Sequence, residues 1–218
     1  MADFATRDPA TSAFWDERYR AGFTPWDARG VPPALARFIE SSPPGRRVLV
    51  PGCGSAYEAG YLHRRGFDVT AIDIAPVALA RAREVLGDEV ADRVLRQADF
   101  FTLDAEFDWI YERALLCALP LRLWPDYAAA VKRLLRPGGL LAGFFFVDDS
   151  AGEPRRGPPF AAHRAEIDGL FMPGFERAAD DEVPAEQSLP VFAGRERWMA
   201  WRRRDASADA AKPPDVAS

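Results

Sequence analysis

The chain has 218 residues, enough to bury one sizeable core, and nothing in its length calls for a second domain. Hydrophobic residues at 48% and charged residues at 28% exclude a disordered or fibrous chain. Twenty-eight Lys and Arg against 33 Asp and Glu give a net charge of −5, which excludes a broad electrostatic footprint for nucleic acid.

Residues 1–12 are polar and lack the apolar centre of a secretory leader. An aromatic-rich opening follows, Phe14-Trp15-Asp16-Glu17-Arg18-Tyr19 through Thr24-Pro25-Trp26-Asp27, then a helical pattern over 33–39 and a Ser-Ser-Pro-Pro-Gly break. Five short apolar runs come next, at 47–50, 68–72, 94–98, 107–111 and 140–147, separated by helix-like or loop stretches. That alternation predicts an α/β fold, doubly wound and mostly parallel, with helices on both faces of the sheet.

The intervening helices are expected to pack through Tyr57, Tyr61 and Leu62, through Val77, Ala80, Val85 and Leu86, and through Tyr127, Val131, Leu134 and Leu135. Pro76 suits a first helical position, and Arg136-Pro137-Gly138-Gly139 reads as the turn into the fifth strand. A mobile loop is expected at 149–159, a helix at 161–171, and a hairpin-like pair at 175–178 and 188–201. The basic stretch 202–204 reads as a solvated strand end, and residues 205–218 as a disordered tail.

Two cysteines, Cys53 and Cys117, each sit in an apolar stretch, so no disulfide framework is expected and a reducing, cytoplasmic compartment fits. No apolar run is long enough to span a bilayer, so no membrane partner is expected. With His63 and His163 the sole histidines, no metal site is expected; His63 reads as surface, while His163, after the loop, could approach a bound acceptor.

The chemistry begins at Val48-Leu49-Val50-Pro51-Gly52-Cys53-Gly54, a buried strand running into a Gly-x-Gly turn and a helix. Such a turn lets backbone approach a ligand and offers free N–H groups, although it also serves as a plain tight turn. Val69-Thr70-Ala71-Ile72-Asp73 is a second strand ending in a carboxylate, spaced as a ribose-binding acid would be; helix capping ahead of Pro76 is the competing role. A dinucleotide site would carry another glycine where Tyr57 stands, so an adenosine ligand without phosphates fits better, and S-adenosylmethionine is the common one.

Asp99 and Phe100 are candidates to hold an adenine, with Phe101 assigned to the core. The fourth run exits through Glu112 and Arg113, both expected to point into the crevice at the carboxyl end of the sheet, the alternative being a surface ion pair.

Taken together, Phe14 to Tyr19 with Thr24-Pro25-Trp26-Asp27, Val50-Pro51-Gly52-Cys53-Gly54, Ala71-Ile72-Asp73-Ile74, Ile110-Tyr111-Glu112-Arg113 and Gly157-Pro158-Pro159-Phe160 resemble the thiopurine S-methyltransferase family, with its thiol and halide methyltransferase relatives. The resemblance runs from Phe14 to about Trp201. It implies a Rossmann-like class I methyltransferase with a seven-stranded sheet, one domain over residues 1–204, and an N-terminal aromatic lid at about 12–30. It also implies S-adenosylmethionine as donor, S-adenosylhomocysteine as product, and a small-molecule acceptor.

By that resemblance, Trp15, Tyr19, Trp26, Gly52, Cys53, Gly54, Asp73, Ile74, Asp99, Phe100 and Arg113 contact the cofactor, and Arg113 is the catalytic cation. Trp26, Glu112, Arg113, Pro159 and Phe160 border the acceptor. Two positions depart from the bacterial thiopurine pattern: Tyr19, usually a tryptophan there, and Leu116-Cys117-Ala118-Leu119, closer to the thiol and halide branch. A thiol or other sulfur acceptor is expected, with halide and selenium or tellurium species as alternatives. An NAD-dependent oxidoreductase or a non-catalytic adenosine binder are the readings from other classes, and a monomer or weak dimer is expected.

Overall fold

The computed structural model describes residues 4–41, 45–152 and 154–205. Most of the expected tail, and residues 42–44 of the Ser-Ser-Pro-Pro-Gly break, lie outside the described residues. In chain order the elements are α1 (Ser12–Arg20), α2 (Pro33–Ser41), β1 (Arg47–Pro51), α3 (Tyr57–Arg64), β2 (Asp68–Asp73), α4 (Pro76–Leu86), α5 (Asp88–Val94) and β3 (Leu95–Gln97). They continue with β4 (Phe107–Arg113), α6 (Leu115–Ala118), α7 (Trp124–Leu134), β5 (Leu135–Phe146), α8 (Arg164–Phe171), β6 (Phe175–Glu182) and β7 (Glu196–Arg203).

The seven strands form one sheet in the order β3-β2-β1-β4-β5-β7-β6. Strands β1 to β5 pair in parallel, while β7 runs antiparallel to both β5 and β6. The chain builds outward from β1 to β3 and then crosses back to β4, so the carboxyl ends of β1 and β4 flank the switch point where open α/β sheets hold ligands. Both faces of the central strands are covered. Alternation sends Val48, Val50, Trp109 and Tyr111 into one core and Leu49 and Ile110 into the other.

Helix α7 buries Tyr127, Val131 and Leu134 as its periodicity predicts. Helix α4 does not follow the predicted stripe: it buries Ala78 and Ala82, leaving Ala80 exposed and Val77, Val85 and Leu86 half-buried. Small residues on that face allow a close approach to the sheet. Leu86 packs sideways over Gly60 of α3, where a Cβ would come within 2.5 Å of its Cδ2.

The Arg136 to Gly139 turn lies inside β5 rather than before it. Leu135 pairs with Phe107 and Leu140 with Trp109, so the four intervening residues bulge out opposite Asp108 alone. Gly138, at φ +74, supplies the left-handed residue. Arg136 Nε lies 2.8 Å from Asp108 Oδ1, while Asp108 Oδ2 accepts the N–H groups of Arg46 and Arg47.

At the other edge, β7 starts at Glu196, not 188, because 3-10 turns at Ala185–Gln187 and Pro190–Phe192 intervene. The loop expected to be mobile is anchored through Arg155, whose Nη2 donates to Glu166 Oε1 at 2.7 Å. Among the described residues no helix is long and apolar enough to cross a membrane.

Candidate functional site

The turn after β1 packs three left-handed residues into five positions, with Gly52 at φ +59, Gly54 at +52 and Ala56 at +57. A side chain on Gly52 would press on Leu115 at 3.2 Å, and one on Gly54 would meet the Tyr19 hydroxyl at 2.7 Å. Glycine is therefore required twice over, for backbone conformation and for space. The Cys53 N–H donates to Ile72 O at 2.9 Å, which ties this turn to the end of β2.

Asp73 ends β2 against the same turn. Its Oδ2 accepts the Gly54 N–H at 3.1 Å and its Oδ1 the Ala75 N–H at 2.9 Å. Burial pushes its pKa up to about 6, with the N–H groups of Ala75 and Gly54 acting in the opposite sense. Asp73 organises the chain entering α4, the competing role weighed for it, and it also lines the cavity.

That cavity has a volume of about 1080 Å3, at the carboxyl ends of β1, β2 and β4. Gly52, Asp73, Ile74, Asp99, Phe100 and Arg113 all line it. Phe100 is mostly buried against Tyr127, ring centroids 5.3 Å apart. Phe101, expected in the core, packs half-buried against it and also forms cavity wall. Asp99 is exposed, and its carboxylate accepts the Phe101 N–H at 2.9 Å.

Helix α1 and the segment after it close the cavity from above. Trp15, Tyr19 and Trp26 line it as one edge-to-face cluster, with Trp26 5.4 Å from Trp15 and 6.0 Å from Tyr19. Trp15 Nε1 donates to Pro9 O at 2.8 Å. Asp16 accepts the Val77 N–H at the start of α4, at 3.0 Å, and Ser55 Oγ donates to Asp27 at 2.6 Å. Glu17 gathers the N–H groups of Ala5 and Thr6, drawing the N-terminal segment over α1. The Thr6 hydroxyl and these N–H groups hold its carboxyl down at about 2.

Glu112 does not reach the cavity. Adjacent residues of a strand face opposite sides, so Arg113 faces the cavity while Glu112 turns inward. Its Oε1 accepts the N–H groups of Leu115 at 2.7 Å and Leu116 at 3.1 Å, and its Oε2 accepts the Tyr127 hydroxyl. Burial pushes its pKa up to about 7.

Among the Gly-Pro-Pro-Phe residues, Gly157, Pro158 and Pro159 line the cavity, but Phe160 does not. The Phe160 N–H donates to Cys117 O at 2.7 Å, and its ring packs into the core. Cys53 and Gly54 likewise shape the turn without reaching the cavity wall. His163, expected near an acceptor, lies with Nε2 2.9 Å from Ala151 O and off the cavity wall. Burial pushes both cysteine thiols up, so neither is a ready thiolate.

The residue that sequence reasoning missed is Glu196. Arg113 Nη1 donates to Glu196 Oε1 at 2.6 Å, and the guanidinium lies 4.1 Å from the Phe144 ring centroid. Glu196 Oε2 accepts the Ser188 hydroxyl at 2.8 Å and the Leu189 N–H at 3.0 Å. A carboxylate opening the otherwise apolar run Trp198-Met199-Ala200-Trp201 was the available signal. Phe4, Pro9, Leu119, Leu123, Val191 and Phe192 form further apolar wall that the motifs did not indicate.

The chain matches the thiopurine S-methyltransferase family over residues 10–204. It is 30% identical to the Arabidopsis thaliana protein named "Probable thiol methyltransferase 2", across 88% of this chain and 86% of that one. A thiopurine S-methyltransferase of Vibrio cholerae is 32% identical, across 76% of this chain and 82% of its own. Among solved structures, 1,6-didemethyltoxoflavin-N1-methyltransferase of Burkholderia thailandensis superposes with a TM-score of 0.70 at 22% identity, covering 94% of each chain.

Proposed function

The chain belongs to the thiopurine S-methyltransferase family, and from that premise we propose that it moves the methyl group of S-adenosylmethionine to the sulfur of an apolar thiol, releasing S-adenosylhomocysteine. The observation that carries this reading is one continuous cavity with a half-buried carboxylate, Asp73, on one wall and a cation, Arg113, on another. At about 1080 Å3 it exceeds the usual volume of a single small-ligand pocket, roughly 300–1,000 Å3, and leaves room for donor and acceptor together. Its remaining walls are largely aromatic, aliphatic and proline side chains, which favours an acceptor of aromatic size over a halide ion.

The residues present fit the donor. Asp73 is a partly desolvated acceptor suited to ribose hydroxyls, Phe100 and Phe101 offer apolar faces for adenine, and Gly52 allows close backbone approach. Bound there, the donor supplies a methyl group on a positively charged sulfur. Trp15 and Trp26 present aromatic faces that favour such a cation, by about 0.5–2 kcal/mol depending on desolvation. Arg113 offers N–H donors to a thiolate, and the segment around α1 acts as a lid that excludes water and holds the reactants at near-attack distance.

Residues 1–204 then act as one methyltransferase domain, with the lid at about 12–30. Two free cysteines support a reducing, cytoplasmic setting. The test is an acceptor screen that follows S-adenosylhomocysteine formation by the purified protein. Turnover with aromatic thiols above iodide or hydrosulfide supports the reading, and turnover with halide alone overturns the acceptor assignment.

A further inference from the structure

Four acidic or basic residues among the described residues are buried with 9% exposure or less: Asp16, Arg18, Glu112 and Glu196. Asp16 and Glu112 take up backbone N–H groups, and Arg18 Nη1 donates to Phe14 O while its guanidinium stacks on Phe14. Glu196 differs because it pairs with a cation of the cavity wall, Arg113. Its side chain is 2% exposed and that of Arg113 12%. An ion taken so far from water is retained at a cost unless every oxygen is engaged, and here every oxygen is.

We infer that Glu196 is a positioning residue for methyl transfer, fixing the orientation of Arg113 and cancelling its charge, so that Arg113 meets the acceptor as a directed hydrogen-bond donor with no surplus positive charge. This rests on the cavity being a methyl-donor and thiol site.

Three features support it. Phe144 beneath the guanidinium and Glu196 beside it leave little freedom to rotate. The same carboxylate holds Ser188 and Leu189, and the chain runs directly on to Val191 and Phe192 in the cavity wall, so the cation and that wall are set by one side chain. The other ionisable groups around Arg113 are poor counter-ions. Burial pushes Glu58 on α3, Glu112 and Tyr111 on β4, and Cys117 on α6 toward their neutral forms.

A cancelled charge suits a thiol that is already acidic, such as an aromatic thiol, whose anion needs holding in line more than it needs a net cation to form. An aliphatic thiol, whose thiolate forms only well above neutral pH, gains less from such a site because it needs a net cation to ionise.

The test is the titration of a bound thiophenol, read by its thiolate absorbance, in the dead-end complex with S-adenosylhomocysteine. Glu196→Gln leaves the guanidinium uncompensated, and the bound thiol is expected to titrate about one pH unit lower, a tenfold change in its acidity. Arg113→Met leaves the carboxylate uncompensated and is expected to shift the titration upward. The double variant carries neither charge and is expected to return close to the parent, which also guards against a single variant that fails to fold. The cavity's other charges, Arg7, Arg18, Asp73 and Asp99, are unchanged throughout.

Identical titrations in the parent and the folded variants would overturn the inference, leaving Glu196 a packing residue. Thiophenol that binds none of the proteins would instead overturn the reading of the cavity, and the inference with it.

Discussion

The Asp16 carboxylate accepts the N–H of Val77 at 3.0 Å across 61 residues of sequence, so a side chain of the overlying helix α1 caps the start of α4, the helix that follows Asp73. A carboxylate there satisfies an N–H the helix cannot and meets the positive end of its dipole. Asp16→Ala is expected to cost about 0.5–2 kcal/mol of stability, as loss of a helix cap does, and to weaken donor binding because the lid loses an anchor. Urea unfolding and calorimetry check both effects; intact donor affinity would separate the cap from the lid.

Asp73 is expected to make donor binding pH-dependent. Its pKa stands at about 6 without ligand, and ribose hydroxyls donate best to the anion. Affinity should hold above that value and fall about tenfold per pH unit below it. Stability runs the other way. A carboxyl raised from 3.8 to about 6 on folding contributes stability that is full below 3.8 and lost as pH rises through 6. Asp73→Asn should therefore be more stable than the parent at pH 7 to 8, lose that advantage near pH 4, and bind the donor poorly at every pH. Thermal unfolding across pH, with calorimetry, checks the pairing of opposite signs.

Gly54 and Gly138 separate backbone strain from crowding. Both are left-handed, at φ +52 and +74, yet a Cβ on Gly138 meets nothing within 4 Å, whereas one on Gly54 meets the Tyr19 hydroxyl. Each alanine variant is expected to lose about 1–2 kcal/mol from backbone strain. The Gly54→Ala variant alone should also displace Tyr19 and weaken donor binding. Equal donor affinity in the two variants would show that Tyr19 is not held against this turn.

Glu112 is expected to serve structure and not turnover. Glu112→Gln keeps an oxygen for Leu115 and Leu116 and an amide toward Tyr127, so the rate should stay within about twofold of the parent, far less than loss of a transition-state contact. Tyr127→Phe leaves a buried carboxylate oxygen without its partner and should cost about 1–3 kcal/mol of stability. A large loss of rate in a stable Glu112→Gln protein would return Glu112 to the site.

The sheet was legible because buried parallel strands are short apolar runs, and Asp73 because a carboxylate closing such a run at the Gly52 turn has few other uses. Arg113 stood out beside Glu112, but deciding which of the two faces the cavity needs the strand's register, which a single run does not reveal. Phe160 next to Pro159 failed for a related reason: a motif names neighbours, while the backbone decides which turns inward. Glu196 carried a weak signal but no visible partner, because Arg113 lies 83 residues earlier and only the β4–β5 and β5–β7 pairings together bring the two within reach. The α4 stripe misled because packing there is governed by Ala78 and Ala82, whose small size, not hydrophobicity, admits the neighbouring elements.

The most direct measurement is a crystal structure with S-adenosylhomocysteine bound. The account predicts ribose hydroxyls on Asp73, adenine between Ile74 and Phe100, and the sulfur facing the space bounded by Trp15, Trp26 and Arg113. Density for the ligand anywhere else, or ribose hydroxyls that leave Asp73 untouched, would contradict it.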